Sequence, residues 1–257
     1  QPFKIITPGE APAFIGGAVG YFGYDLGRVI ERLPVYARDD IAVPDCCLGF
    51  YSAVIIIDHL KETVRVASSG LPETQPALQR KKAQADIDAL KSLLASSPAS
   101  DKSTCELQTQ RAAPALTANF DKEAYCRAIQ KAKRYIAEGD IYQVNLSQRF
   151  SCQSPDTPWE VYMRLRNTSP APFAGFFNAG DHQLLSSSPE RFLRISGAMV
   201  ETRPIKGTRP RGATAAEDRR LREELLASAK DRAELIMIVD LERNDLGRVC
   251  RYGTIHP

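Results

Sequence analysis

Between Ser186 and Arg211 the chain gathers side chains that can act on carbon or hold an anion: Glu190, Arg203, Lys206, Arg209 and Arg211. Ser196-Gly197 predicts a tight turn, which folds Glu190 back towards Arg203. At about 3.3 Å per strand residue, Glu190 and Lys206 then fall within roughly 10 Å of each other. Strict alternation places Arg203 and Lys206 on opposite faces. Pro204 cannot donate to a ladder, and an irregularity there would bring the two together. A carboxyl and an amine at one strand end make either a salt bridge or an acid and a nucleophile. Fixed cations around Lys206 disfavour a further ammonium, and a neutral amine attacks carbon. The arginines suit an anionic substrate, because a guanidinium grips a carboxylate bidentately. Residue chemistry alone leaves a catalytic centre and a basic surface loop evenly matched.

A second cluster lies further on. Asp231 and Glu234, three residues apart, share one helical face. Acidic residues in a first turn complement the helix dipole. A carboxylate pair facing a cleft also suits Mg²⁺, which takes oxygen ligands and keeps waters. Leu235-Ile236-Met237-Ile238-Val239 is apolar all round, which predicts a buried helix. Asp240, Arg243, Asn244 and Asp245 are expected to cap its end and pair with one another. A third polar row, Gln143, Asn145, Ser147 and Arg149, alternates with Tyr142, Val144 and Leu146 in a predicted strand 141–150. Such a row is a solvated face or one wall of a cleft.

The elements that must position these residues can be read from pattern and punctuation. Phe14–Tyr24 is aromatic and Gly-rich, and Phe50–Ile57 followed by Thr63–Ala67 predicts a hairpin. Gln79–Leu94 has helical spacing, and 96–103 reads as a linker-like loop. A helix opens at Asn119 or Asp121 and runs to Glu138, with Gly139 ending it. Trp159–Arg166, Ala215–Ala227 and Asp231–Arg243 read as helices. Phe173–Asn178, Gln183–Ser187, Arg191–Ile195, Met199–Ile205 and Tyr252–Ile255 read as strands. Without a βαβ rhythm the class is α+β with mainly antiparallel sheet. The expected division is a strand-rich part, 1–104, and a catalytic region, 105–257.

Composition narrows the function classes. The chain has 257 residues, 43% hydrophobic and 25% charged, which are ordinary globular values. Lys and Arg number 34 against 31 Asp and Glu, a balance too mild to point to nucleic acid. The longest apolar run, Ala53–Ile57, is too short to span a bilayer, and no signal-peptide pattern opens the sequence. The six cysteines form no Cys-x-x-Cys pair and, with three scattered histidines, no zinc set. Free thiols in a reducing cytoplasm are expected. His59, His182 and His256 read as surface or strand-end residues. Gly16-Gly17-Ala18-Val19-Gly20 is no dinucleotide loop, since it lies inside a strand, and Lys206-Gly207-Thr208 lacks the order of a phosphate loop.

Several ordered motifs resemble the chorismate-utilising enzymes: Ser187-Ser188-Pro189-Glu190-Arg191-Phe192, Arg203-Pro204-Ile205-Lys206-Gly207-Thr208, Asp231-Arg232-Ala233-Glu234 and Arg243-Asn244-Asp245-Leu246-Gly247-Arg248-Val249. Gly20-Tyr21-Phe22-Gly23-Tyr24-Asp25-Leu26-Gly27-Arg28 and Tyr142–Phe150 extend the resemblance over nearly the whole chain. Within the family, Lys206 stands where anthranilate synthases typically carry Ala. Gln143 stands where isochorismate and salicylate synthases carry a water-activating lysine. That combination is similar to the aminodeoxychorismate synthase branch. The resemblance implies a fold of two packed, mainly antiparallel sheets flanked by helices. It implies that Lys206 is the nucleophile, Glu190 the general acid, and Glu234 and Asp231 the carboxylates near Mg²⁺. Gly207, Thr208 and Gln143 would line the substrate site. It further implies a separate glutaminase subunit as the source of ammonia. Asn167-Thr168-Ser169-Pro170-Ala171-Pro172-Phe173 resembles one wall of a tryptophan pocket, with Pro172 and Phe173 at its end.

The chain begins at Gln1 without Met and ends soon after the Arg248-Val249 motif, where family members continue, so it reads as a fragment. Such a fragment would carry the covalent catalyst without turning over chorismate alone, or would serve only as a scaffold for the glutaminase. An anthranilate synthase large subunit is the neighbouring enzyme reading.

Overall fold

The computed structural model describes residues 14–36, 39–96 and 114–257. The chain forms two compact units, Gln1–Ser154 with Phe177–Gln183, and Pro155–Phe176 with Leu184–Pro257. The division expected after residue 104, and most of the linker-like stretch 96–103, lie outside the described residues. The class is α+β. Among the described residues the strands pair in five two-stranded sheets, and the four whose register is defined are antiparallel.

In the first unit, β1 (Gly17–Phe22) pairs with β2 (Cys46–Tyr51) from Gly17↔Tyr51 to Phe22↔Cys46. A Cβ on Gly20 would lie 1.9 Å from the Cys47 carbonyl oxygen, so close backbone approach explains a glycine there. The run expected as one strand from Phe50 breaks at Ser52, where β3 (Ala53–Asp58) begins its hairpin with β4 (Thr63–Ser68). Asp58 Oδ1 closes that turn by accepting from the Leu60 and Lys61 N–H groups at 3.1 and 3.0 Å. Helix α2 (Pro76–Ser96), after the short α1 (Gly27–Ile30), joins β4 through a Ser68 Oγ–Asp86 hydrogen bond of 3.0 Å.

Helix α3 (Lys122–Glu138) starts where Asp121 accepts from the Ala124 N–H and stops at Gly139, whose φ of +82° suits a residue without Cβ. The strand predicted over 141–150 is not formed. Only β6 (Phe150–Ser151) pairs, with β5 (Thr117–Ala118). Alternation marks two faces, but a strand also needs a partner along its length, and residues 141–148 have no strand partner among the described residues. The end of the segment is tied down locally: the Arg149 carbonyl accepts from the Asn119 N–H at 3.1 Å, and the Arg149 N–H donates to Asn119 Oδ1 at 2.8 Å. Gln148 donates to the Phe120 carbonyl at 3.0 Å, and the Arg149 guanidinium forks onto Asp40, which raises the arginine's pKa. His182 is also more than a surface residue: half-buried, its ring lies between Asp181 (2.7 Å) and the Tyr21 hydroxyl (2.8 Å).

In the second unit, α4 (Pro158–Thr168) opens on a reciprocal cap between Thr157 and Glu160, with Pro158 at the first helical position. Trp159, Tyr162 and Phe176 pack their rings with centroids 5.3–5.6 Å apart. The hairpin strands β7 (Phe173–Asn178) and β8 (Gln183–Ser188) pair, and the tip of this hairpin belongs to the first unit. Strands β9 (Arg191–Ser196) and β10 (Met199–Arg203) turn at Gly197, φ +59°. Helices α5 (Ala215–Ala227) and α6 (Ala229–Gly247) complete the unit.

Two expectations fail here. Tyr252–Ile255 forms a turn, with the Thr254 N–H donating to the Arg251 carbonyl and Gly253 at φ +77°, so the chain bends where a strand was expected. Helix α6 contains no fully buried residue; Ile236 stays 61% exposed, because no described element covers that side of its apolar surface.

Candidate active site

The site is built on β9–β10 and the loop after them. From Ser196↔Met199 to Arg194↔Glu201 the register is regular, and then Arg191 faces Arg203. Over that last step β9 advances three residues while β10 advances two, which is a bulge. The irregularity expected at Pro204 therefore lies before it, between Glu201 and Arg203. Opposed arginines repel, and Glu201 sits between them, ion-paired to both Arg191 and Arg203.

Glu190, just ahead of β9, lies beside the residues after β10. Glu190 Oε1 accepts from the Ile205 N–H at 2.7 Å, so the carboxylate is fastened to the residue next to Lys206. The sequence expectation that the turn would bring these two residues together agrees with this contact. Lys206 is half-buried and makes no hydrogen bond or ion pair among the described residues.

The arginines do something other than expected. Arg209 binds Glu224 at 2.8 Å and Asp231 at 3.2 Å, and Arg211 binds Asp218 at 2.7 Å. Each guanidinium of the cluster has a carboxylate partner within the protein, so the field of unpaired cations around Lys206 is absent. A free guanidinium fork for an anionic substrate is absent with it. The Arg211 bonds and the Gly212 N–H hold the Asp218 carboxyl down at about 2. Glu224 and Asp218 were not picked out from sequence. The available signal was an acidic helix start, with Glu217 and Asp218 directly after an arginine-rich loop.

Asp231 lies in the first turn of α6, with Ser228 as the cap. The Ser228 hydroxyl and then the Arg209 guanidinium hold its carboxyl below the usual range, against the opposing effect of burial. Glu234, one turn on, is half-buried and has no partner among the described residues. The two carboxylates thus differ: Glu234 is available to a cation, whereas Asp231 is engaged by Arg209. Among the described residues no group of three metal-ligating side chains gathers. A Mg²⁺ that uses one carboxylate, waters and a substrate oxygen fits Glu234.

Gly207 has φ +72°, and Thr208 comes next, exposed, its carbonyl accepting from Arg209 at 2.8 Å. Gln143, half-buried, lies in the first unit, and nothing among the described residues fixes its amide. Pro172 is exposed, and the Phe173 ring lies under the Arg191 guanidinium, 5.3 Å from its centroid. The five cysteines among the described residues are free, and no helix there is long and apolar enough to cross a membrane.

The chain belongs to the chorismate-binding enzymes, whose family pattern covers residues 3–257. Among its relatives, anthranilate synthase component 1 of Acetivibrio thermocellus is 39% identical over 98% of this chain and 52% of the relative. Aminodeoxychorismate synthase component 1 of Escherichia coli is 38% identical over 97% of this chain and 51% of the relative. The solved anthranilate synthase component I of Streptococcus pneumoniae superposes with a TM-score of 0.75 at 31% identity, over 96% of this chain and 53% of that one. The chain spans about half the length of the relatives it matches.

Proposed function

We propose that this chain carries the covalent catalyst of an aminodeoxychorismate synthase large subunit. The full protein would convert chorismate and ammonia to 4-amino-4-deoxychorismate and water. The observation that carries the reading is a lysine at 206 on the loop to which the Glu190 carboxylate is hydrogen-bonded. Relatives of both the anthranilate and the aminodeoxychorismate type stand at similar identity, so the choice rests on this lysine and on Gln143.

The Lys206 amine, as its free base, adds to C2 of the chorismate ring, and the two ring double bonds shift to expel the C4 hydroxyl. Glu190, as the general acid, gives a proton to that hydroxyl, which leaves as water. The carboxylate then takes the surplus proton from the lysine adduct. Ammonia adds at C4, the two double bonds shift back, Glu190 returns its proton to the lysine nitrogen as it leaves C2, and the carboxylate then takes the surplus proton of the new C4 ammonium. Glu234 would hold Mg²⁺, which supplies charge compensation for the ring carboxylate. Thr208 and Gly207 border the reacting ring, and Gln143, an amide without a basic lone pair, leaves water unactivated.

Ammonia comes from a glutaminase partner, and the setting is the cytoplasm. Pro172 and Phe173 form part of a tryptophan pocket. Full-length protein with glutaminase, glutamine, chorismate and Mg²⁺ should yield aminodeoxychorismate and no pyruvate. Anthranilate with pyruvate would establish the neighbouring reading, which the anthranilate synthase relatives favour. Glutaminase binding with no chorismate chemistry would leave a scaffold.

A further inference from the structure

We infer that Arg209 and Asp231 are positioning residues that clamp the Lys206 loop onto the start of α6; the inference rests on the lysine reading above. Residues 204–213 have no regular secondary structure, so side chains must fix the loop. Arg209 uses all three of its nitrogens for this. Nε donates to Glu224 on α5 at 2.8 Å, Nη2 donates to Asp231 on α6 at 3.2 Å, and Nη1 donates to the Thr208 carbonyl at 2.8 Å. One guanidinium thereby joins two helices to the backbone two residues beyond the nucleophile.

Asp231 also touches the loop directly. A Cβ on Gly207 would lie 2.8 Å from the Asp231 Cβ and Cγ, so the peptide after Lys206 rests against this carboxylate. Any side chain at 207 would displace it. On the other side Glu190 holds the Ile205 N–H at 2.7 Å. Lys206 thus sits between two carboxylate anchors, one on each side of it in sequence, and its own amine is left unpaired. Both members of the Arg209–Asp231 pair are well covered, with side-chain exposures of 26% and 18%, so water competes with the bond less than at an open surface. A carboxylate engaged in this way is a poor metal ligand, and its place in the site is to hold the loop while Glu234 remains for a cation.

The test uses the full-length protein. Arg209→Lys keeps the charge and loses the fork, and Asp231→Asn keeps the size and loses the charge. Each should lower kcat by about 10–100-fold with KM changed by less than about 2-fold, the loss expected when a reacting group is misplaced by about 1 Å. In a Lys206→Ala background, Arg209→Lys should lower the residual rate no further, because the two residues act as one unit. Trypsin gives a readout without turnover: cleavage after Lys206 should be faster in both variants than in the parent. Mg²⁺ affinity by calorimetry should be unchanged in both and lost in Glu234→Gln. The inference is overturned if both variants keep the parental kcat and cleavage rate. It is equally overturned if Asp231→Asn alone needs about 10-fold more Mg²⁺ and recovers full rate there, since Asp231 would then be a ligand. Full activity of Lys206→Ala would sink the lysine reading separately, and the cleavage rates would still report on the clamp.

Discussion

Residues 141–149 and 204–213 are both irregular, both polar, and both expected from sequence to approach a substrate, yet they are held very differently. In the first, the side chains of 142–147 make no hydrogen bond among the described residues, and only Gln148 and Arg149 are tied down. In the second, carboxylates take up the Ile205, Gly212 and Ala213 N–H groups and the guanidinium groups of Arg209 and Arg211. The difference lies in the elements that come next in the chain. The loop at 204 leads into α5 and α6, whose N-terminal turns carry acids that complement the helix dipole and reach back to the loop. A segment without strand partners can therefore be fixed as firmly as a strand, provided the flanking helices supply acceptors.

Substitutions can break this comparison. Lys206→Ala should cost the most, a fall in aminodeoxychorismate formation of at least about 10³-fold, since the proposed nucleophile is removed. Glu190→Gln should rank second, at about 10²–10³-fold, by losing both the proton donor and part of the tie to Ile205. Gln143→Ala, in the loosely held segment, should cost less than about 10-fold, because an amide there withholds a reaction and drives none. If Gln143→Ala proves as damaging as Lys206→Ala, the two segments are equal partners and the contrast fails. Steady-state rates with saturating chorismate decide all three.

Strong acid should loosen the second segment as Asp218 is protonated. Asp218 sits at about 2, below the usual carboxyl range, so its contribution is full above that range and is lost as pH falls through it towards 2. Carboxyl titration monitored by NMR should show Asp218 protonating at about 2, with the Arg211 Nε proton signal shifting in step. Asp218→Asn should abolish that coupled shift. The smallest effect is expected at the other segment. Asp40→Ala removes an exposed pair with Arg149 and should shift denaturant stability by no more than about 1 kcal/mol.

Much of this was legible in the residues. The cap at Asp121 and the stop at Gly139 are local, and the structure forms both where the sequence indicates, while the tight turn expected at Ser196-Gly197 falls one residue later, at Gly197-Ala198. The nearness of Glu190 to Lys206 was legible because a two-residue turn fixes register over a short hairpin. The bulge before Arg203 was not, since register slips depend on how side chains across the ladder share charge, here Glu201 between two arginines. The strand at 141–149 failed for a related reason: period-two alternation reports facing, and pairing depends on segments distant in sequence. The arginine cluster looked free because its partners lie on helices seven or more residues away, and only the fold brings Asp218, Glu224 and Asp231 to it.

The account stands on Lys206 as the attacking group. Full-length protein incubated with chorismate and Mg²⁺, but without glutamine or ammonia, then digested and subjected to mass spectrometry, tests it most directly. The peptide containing Lys206 should gain the mass of chorismate less one water, and the gain should vanish on adding ammonia and in Glu190→Gln. Product formed at full rate on adding ammonia, with no adduct at Lys206 or with one on a different residue, would contradict it.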